Sequence, residues 1–499
     1  MVPQGLSNFC LLLLLFLHSS PGILAVNNED PTAKIMEEFS GYPIHEPPHS
    51  FDPRSLLSSL SVDVQLLLSQ IADLSTFSDT PAPAITRILY SEKDVLARRY
   101  VKNLLGLAGL SVREDAVGNM FGRWDGYEPE LAPVATGSHI DAIPYSGIYD
   151  GVVGVLGAIE AINTLKRSGY KPKRSLEVIV FTSEEPTRFG IGCVGSHLYD
   201  IPYNLTFECS RLMARNEAVM KALKTTFDKQ NISFLEAARS AGYAKGVDDL
   251  SSVFLKEGCY SAFVELHIEQ GPILDAEGIS IGVVTAIAAP ATLIVDFEGN
   301  GGHAGGVLMP HRNDAGLAAA ELALDVEKYV LESGSIDTVG TVGILQLHPG
   351  AINSIPSKAH LTIGMVITWL EVAEDTRDID EKRRNEVIEK IHESAVAIAR
   401  KRGVNLSFKI LNQDPPAHSD KSVIEAVEVA SKELNLTHKR MISRAYHDSL
   451  FMAGVSPMGM IFIPCYKGHS HKPEEYASSQ DIENGVKVLF LTLAKLSST

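Results

Sequence analysis

The 499-residue sequence is 45% hydrophobic and 21% charged, an ordinary globular composition with enough chain for two or more domains and a large core. Its formal net charge of -17 and pI of about 5.4 exclude the basic surface that nucleic-acid phosphates require. Five cysteines, none in a CxxC pair, exclude a disulfide framework and a zinc knuckle and read as buried thiols.

Taken in chain order, residues 1–25 carry an apolar core at 11–17 and no Lys, Arg, Asp or Glu. That core is too short to span a bilayer, and the segment reads as a secretory signal peptide ending near Ala25. Sequons at Asn204, Asn231, Asn405 and Asn435 fit a glycoprotein of the endoplasmic reticulum or secretory pathway. No later segment has the length and apolarity of a membrane span. Residues 26–60, rich in Pro, Ser and acidic residues, read as a loosely ordered leader. Helical periodicity begins near Val62, with Leu66, Leu67, Ile71 and Leu74 on one face, and a second helix is expected over 91–108. Asp125-Gly126 marks a turn between strands at 118–124 and 132–135. A helix follows Asp150, and a strand spans 176–181. Residues 203–262 read as mostly helical, and 260–267 form another apolar run. Strands at 292–298, 338–346, 359–370 and 405–411, with helices at 311–333 and 380–402, give the split βαβ order of a ferredoxin-like unit. A helix at 421–434, a strand at 457–463 and a terminal helix resume the α/β pattern. The fold class is therefore α/β, a large catalytic domain (61–283 and 413–499) carrying an inserted ferredoxin-like α+β domain at 284–412.

Residues 136–151, TGSHIDAIPYSGIYDG, place His139 and Asp150 after the apolar run 131–135. Glu184 and Glu185 follow the strand at 176–181, His267 ends the run 260–267, and His471 lies in GHSHKPEEY after the strand at 457–463. Ligands of open α/β sheets bind outside such strand ends. Taken singly, a His or Asp is more often a surface or hydrogen-bonded residue, and the Glu pair could be a solvated acidic pair. The set of imidazoles and carboxylates suits Zn²⁺, Mn²⁺ or a similar ion rather than Ca²⁺. Two metals about 3.5–4 Å apart need a shared ligand, and Asp150 is the natural bridge. Glu184, beside the ligand Glu185, is then free as general base. In GNGGHAGG, four glycines surround His303, which permits close approach of backbone to a ligand or simply a tight turn.

Eight ordered motifs over about residues 60–497 resemble one family: TGSHIDAIPYSGIYDG, FTSEEPTRFG with CVGS, ELHIEQGP, GNGGHAGG, GAINSIP, DTRDID, YHDS and GHSHKPEE. Together they are similar to the amidase/carbamoylase branch of the dinuclear metallopeptidase–aminoacylase superfamily. Its members include N-carbamoyl-amino-acid hydrolases, β-ureidopropionase and allantoate amidohydrolases. The resemblance implies a metal held by His139, Asp150 and His267, and a second by Asp150, Glu185 and His471. Glu184 would be the base. His303 would stabilise the oxyanion, reaching across a homodimer interface made by the inserted lid domain. Asn353 and Arg377 would grip a substrate carboxylate, and Gln270, Tyr446 and His447 would line the pocket. Mn²⁺ is the expected ion, with Zn²⁺ as the alternative. Within the branch, SEEPTRFGIGCVGS and SRAYHDS look most like the plant members that act on ureidoglycolate. That implies a metal-dependent amidohydrolase of purine (ureide) catabolism, releasing glyoxylate, ammonia and CO₂ from a small ureide. Allantoate or another N-carbamoyl amino acid is the rival substrate, and a metal-free binding protein of the same fold is the rival class.

One departure is expected to matter. In the family, HLTI runs directly into DTRDID, whereas GMVITWLEVAE, residues 364–374, stands between them here. An odd-numbered insert reverses the strand's inward and outward positions unless it loops out, and it separates Arg377 from its place as a clamp.

Overall fold

A computed structural model describes residues 61–190, 192–194, 225–244, 253, 255–335, 338–367 and 379–499. The expected signal peptide, the leader and most of the expected helical stretch 203–262 lie outside the described residues. No helix among the described residues is long and apolar enough to cross a membrane.

Two sheets organise these residues. In the larger one, Met458–Ile463, Ala262–Ile268, Val134–His139 and Leu176–Phe181 lie side by side and parallel. Each is buried along its whole length. Their sequences MGMIFI, AFVELHI and LEVIVF are near-continuous apolar runs, as strands covered on both faces require. Antiparallel strands extend the sheet: Met120–Trp124 and Ser111–Glu114 on one side, Ile281–Ile287 on the other. His438–Ser443 and Ala417–His418 pair with Ile281–Ile287. The helices Val152–Arg167 and Ser479–Ser497 pack on each other and on this sheet. Thirteen of the sixteen residues in the first helix are buried, Val155, Leu156, Ile159, Ile162 and Leu165 among them. Each such side chain stabilises the fold by about 1.5–3 kcal/mol, so this helix anchors the loop that precedes it, which carries Asp150.

The smaller sheet has four antiparallel strands in the order Thr338–His348, Lys358–Ile367, Ala289–Glu298, Asn405–Gln413. With the helices Ala315–Leu331 and Ile379–Arg402 inserted between strands, the chain order is βαββαβ. That is the ferredoxin-like arrangement the sequence predicts. Leu293, Val295, Leu361 and Ile363 pack with Leu322, Val326, Ile391 and Ile398 of the helices in a core of their own. The chain passes from the large sheet to the small one at Ala288, between Ile281–Ile287 and Ala289–Glu298. On the return, the buried Arg384 of the second helix donates to the Asp414 carbonyl.

The insert does not loop out at once. Its first four residues, 364–367, continue the strand Lys358–Ile367 and pair with both neighbours. The register with Ala289–Glu298 is unbroken, whereas that with Thr338–His348 slips by one residue at Gly343, just before the insert. Gly364 lies opposite Thr292 and Thr341, and Val366 opposite Pro290 and Val339. Met365 joins Ala359, Leu361 and Ile363 in the core, so the alternation of buried residues carries into the insert.

Candidate functional site

The C-terminal ends of the four parallel strands converge on one acidic and imidazole-rich cluster. His139 is the last residue of Val134–His139, and His267 the penultimate residue of Ala262–Ile268. Glu184 and Glu185 follow Leu176–Phe181, and His471 follows Met458–Ile463. Asp150 stands between them at the foot of Val152–Arg167. Its Oδ1 lies 3.2 Å from His267 Nε2 and 3.8 Å from His139 Nε2, and its Oδ2 lies 3.1 Å from His471 Nε2. Glu185 Oε1 is 3.4 Å from the same His471 nitrogen. Two triads of donor atoms result, His139–Asp150–His267 and Asp150–Glu185–His471, sharing Asp150.

The adjacent glutamates diverge. Glu185 faces His471. Glu184 Oε2 points to His139 Nε2 at 3.8 Å, and its Oε1 accepts from the Cys193 thiol at 3.6 Å. Ser183, which turns the chain between strand and pair, has φ +59°. Gln270 and His471 also take left-handed backbone, at +58° and +57°. For residues with a Cβ this costs about 1–2 kcal/mol each, and such strain gathers at functional sites.

The cluster fits a divalent cation. His267 Nδ1 bonds to the Ile268 carbonyl at 2.8 Å, so that nitrogen carries the proton and Nε2 offers a lone pair. It faces Asp150 Oδ1, and both atoms are buried without a hydrogen bond. With Nε2 unprotonated, the two acceptors oppose one another, so the pair needs either a second proton on the imidazole or a metal cation between them. The proton equilibria carry the same imbalance. Burial, then Glu185, raises Glu184 well above the usual carboxylate range. Burial, opposed by His471 and reinforced by Asp150, lifts Glu185 to about 8. Burial would lower His267, but the Asp150 carboxylate outweighs it and brings the imidazole to about 9. Burial holds His139 down to about 4. Imidazole and carboxylate donors in this number suit a transition-type divalent ion.

Three supporting carboxylates escaped the sequence reading. Asp141, fully buried, accepts from the backbone nitrogens of Glu184 (3.3 Å) and Glu185 (3.2 Å), bolting the Glu pair to the strand end that carries His139. The only trace in the sequence is its place two residues after His139. Glu265 accepts from Ser138 Oγ (2.7 Å) and from Ser449 Oγ (2.6 Å) and N (3.2 Å). Though it lies near His267 and His447, three hydrogen bonds already engage both its oxygens, and it supports those residues from beneath. Glu475 accepts from the backbone nitrogens of Tyr149 and Asp150. Arg87, also buried, donates to the carbonyls of Ile140, Leu74 and Phe77 and fixes the turn after His139.

Of the expected pocket residues, His447 packs edge-on against His267, ring centroids 4.6 Å apart, and meets Ser443 Oγ at 2.9 Å. Gln270 Nε2 donates to Asp150 Oδ2 at 2.9 Å. Tyr446 reaches Asp414 Oδ2 at 3.2 Å and packs on Phe451. His303 and Asn353 are neighbours: the Ala304 N to Asn353 O bond (2.9 Å) closes the end of the ladder between Gly302–His303 and Ser354–Ile355, and both residues are exposed. Among the described residues no hydrogen bond or ion pair links His303 or Asn353 to the cluster. Arg377 lies outside the described residues.

Comparison with known proteins agrees with this geometry. Residues 135–495 match the Peptidase family M20/M25/M40. The chain is 70% identical over 480 residues to a "Ureidoglycolate hydrolase" of Arabidopsis thaliana, covering 96% of this chain and 95% of that one. A protein of the same name from Oryza sativa subsp. japonica is 66% identical over 464 residues, covering 93% and 91%. Among solved structures, AtUAH in complex with glyoxylate, and again with (S)-hydroxyglycine, superposes with a TM-score of 0.82 at 70% identity. Each comparison covers 89% of this chain and 99% of that one.

Proposed function

The chain belongs to Peptidase family M20/M25/M40, and on that premise we propose that it is a metal-dependent ureidoglycolate hydrolase. The observation that carries the reading is 70% identity over nearly the whole of both chains, together with a complete donor set at the strand ends. The proposed reaction opens the ureido carbonyl of (S)-ureidoglycolate with one water. The fragments are carbamate and hydroxyglycine, and each then loses ammonia, leaving CO₂ and glyoxylate. The two small molecules bound in the AtUAH structures are the expected second fragment and its product.

His139, Asp150 and His267 would hold one divalent ion, and Asp150, Glu185 and His471 the other, with Mn²⁺ the proposed metal. When bound, such ions supply Lewis acidity to the carbonyl and acidify water. Glu184, buried and beside both triads yet outside them, takes a proton from the attacking water and passes it to the leaving nitrogen. Its raised proton affinity suits that relay, because the carboxyl must both accept and release a proton. His303 and Asn353, side by side at the short two-stranded ladder Gly302–His303/Ser354–Ile355, would close over the substrate and supply donors to the developing oxyanion. His447 and Cys193 shape the floor around His267 and Glu184.

We further propose a homodimer through the edge strand Thr338–His348, where Val339, Ile344, Leu345 and Leu347 are exposed. A secretory-pathway location is proposed from the apolar segment 11–17. Exposed asparagines in the sequons at 231, 405 and 435 fit it. The deciding experiment is a paired assay on the Mn²⁺-reconstituted protein. Ammonia release from (S)-ureidoglycolate but not allantoate is expected; release from allantoate alone would overturn the substrate assignment, and release from neither would overturn the reading.

A further inference from the structure

Asp150 is enclosed by a closed ring of hydrogen bonds drawn from three separate loops. Glu475, buried on the chain that follows His471, accepts from the backbone nitrogens of Tyr149 (2.8 Å) and Asp150 (3.0 Å) through Oε1. Its Oε2 accepts from Ser470 Oγ at 3.2 Å. Ser470 Oγ in turn accepts from Gln270 Nε2 at 3.2 Å, and the same amide nitrogen donates to Asp150 Oδ2 at 2.9 Å. Donors and acceptors balance around the ring. Gln270 spends both amide hydrogens, the Ser470 hydroxyl gives one bond and takes one, and the Glu475 carboxylate only accepts. The ring therefore grips Asp150 at both ends, by its backbone N–H and by one carboxylate oxygen.

We propose that Glu475, acting through Ser470 and Gln270, is the positioning residue that sets the orientation of the Asp150 carboxylate. This rests on the divalent-metal reading of the cluster. A carboxylate shared by two triads must present Oδ1 to His139 and His267 and Oδ2 to His471. Free rotation would scramble those roles. The Gln270 amide marks one oxygen as Oδ2, and Glu475 holds the peptide so that the side chain cannot turn with its backbone. Ser470 is adjacent to His471, so the ring also ties the loop that carries His471 to the loop that carries Asp150. Gln270, expected from the sequence to line the pocket, has its amide nitrogen committed to this ring. Tyr149 packs edge-on against Tyr476, which fastens the same two loops from outside the ring.

Partners that orient metal ligands in this way are worth about 10- to 100-fold in metal affinity. The test uses the full chain stripped of metal and titrated with Mn²⁺ by calorimetry, with the melting temperature of the metal-free protein as a fold control. Glu475→Ala removes the anchor of the ring, and Ser470→Ala breaks it while leaving the backbone nitrogens of Tyr149 and Asp150 bonded. Both variants are expected to lose about 10-fold or more in Mn²⁺ affinity. The double variant is expected to lose little more than Glu475→Ala alone, because the ring acts as a unit. Should Glu475→Ala fail to fold, Ser470→Ala decides. Parent-like Mn²⁺ affinity in Ser470→Ala, or losses that simply add in the double variant, would overturn the positioning role alone. A parent chain that takes up no Mn²⁺ would overturn the metal reading and this inference together.

Discussion

Gly151 offers a sharp test of the site because its replacement strikes a proposed ligand atom directly. Its φ is +66°, and a Cβ built there would stand 2.6 Å from Cδ2, Cε1 and Nε2 of His139. Non-bonded carbons rest at about 3.5–4.0 Å, so the ring or the loop must retreat by roughly 1 Å. Neither is free to do so. His139 is buried with Nδ1 set against the Asp141 carbonyl at 3.1 Å, and the neighbouring Asp150 nitrogen is held by Glu475. Left-handed backbone costs alanine about 1–2 kcal/mol and overpacking about 1–3 kcal/mol, so Gly151→Ala should lose about 2–5 kcal/mol. Gly169 supplies the control, since it too is left-handed (φ +78°) but has nothing within 4 Å of a built Cβ. Gly169→Ala should lose only the backbone part, about 1–2 kcal/mol, with Mn²⁺ affinity unchanged. Urea unfolding of the metal-free proteins and Mn²⁺ titration read both quantities. Equal stability losses in the two variants, with parent-like Mn²⁺ binding by Gly151→Ala, would refute the claim that Gly151 is required by the ligand behind it.

Glu184→Gln keeps the volume but removes the proton acceptor, so turnover should fall by about 10²- to 10⁴-fold while metal content measured by elemental analysis stays at the parent level. Loss of metal instead would mean that Glu184 is a ligand and Glu185 the base. Stability of the metal-free protein should fall as pH rises from 6.5 to 8. Asp141 and Glu475, both raised by burial to about 7, Glu185 at about 8 and His267 at about 9 all hold protons in the folded state that the unfolded chain has released or is releasing. His139, lowered to about 4, and His447, also lowered by burial, oppose the trend only near pH 6.5, where the unfolded imidazoles still hold about half a proton each, and the larger set of raised groups outweighs them. Mn²⁺ requires the deprotonated ligands, so the gain in melting temperature on adding Mn²⁺ should widen over the same interval. A metal-free melting temperature that climbs with pH would contradict this. Deleting residues 364–374 should raise activity toward ureidoglycolate, because the register would then bring Arg377 to the position Val366 holds opposite Pro290. Unchanged or lower turnover would count against the insert as the cause.

What the sequence disclosed follows from what leaves a local trace. The apolar runs at 176–181 and 260–267 mark parallel strands because both faces are covered, and residues just past such runs lie at one end of the sheet. Glu184, Glu185 and His267 were legible for that reason. The βαββαβ order of the small sheet was legible from alternating periods of two and 3.6 residues. The strand His438–Ser443, HKRMIS, was not, since its first half is polar and half-buried or exposed. Asp141 and Glu475 were missed for a different reason. Their partners are backbone nitrogens 43 and 325 positions away, and a bond from a side chain to a distant peptide imposes no pattern on either segment. The strand expected over 359–370 already took in the first residues of the insert, and it holds as far as Ile367. Whether residues 364–367 stay in the strand depends on free partners on both flanks, which Ala289–Thr292 and Thr338–Thr341 supply.

The charge balance explains why metal and fold should be inseparable here. Asp141, Asp150, Glu184, Glu185, Glu265 and Glu475 are each at most 7% exposed and gather at the ends of four strands. A buried, unpaired carboxylate costs several kcal/mol, while a whole domain is stable by only about 5–15 kcal/mol. Asp141, Glu265 and Glu475 are relieved by hydrogen bonds from backbone or hydroxyl groups. Glu184, Glu185 and Asp150 Oδ1 have chiefly imidazoles for company, together with the weak thiol donor of Cys193. Without metal, burial raises the Glu184 and Glu185 carboxyls so that they hold protons, while Asp150 stays ionised and holds protons on His267 and His471 instead. A divalent cation would remove that need and turn the same groups from a liability into ligands. Its binding would also offset the left-handed backbone at Ser183, which precedes Glu184, and at His471, itself a donor. The loops at the strand ends are thus the part of the large sheet whose stability depends most on the ion, and the buried hydrophobic strands beneath them the part that depends on it least.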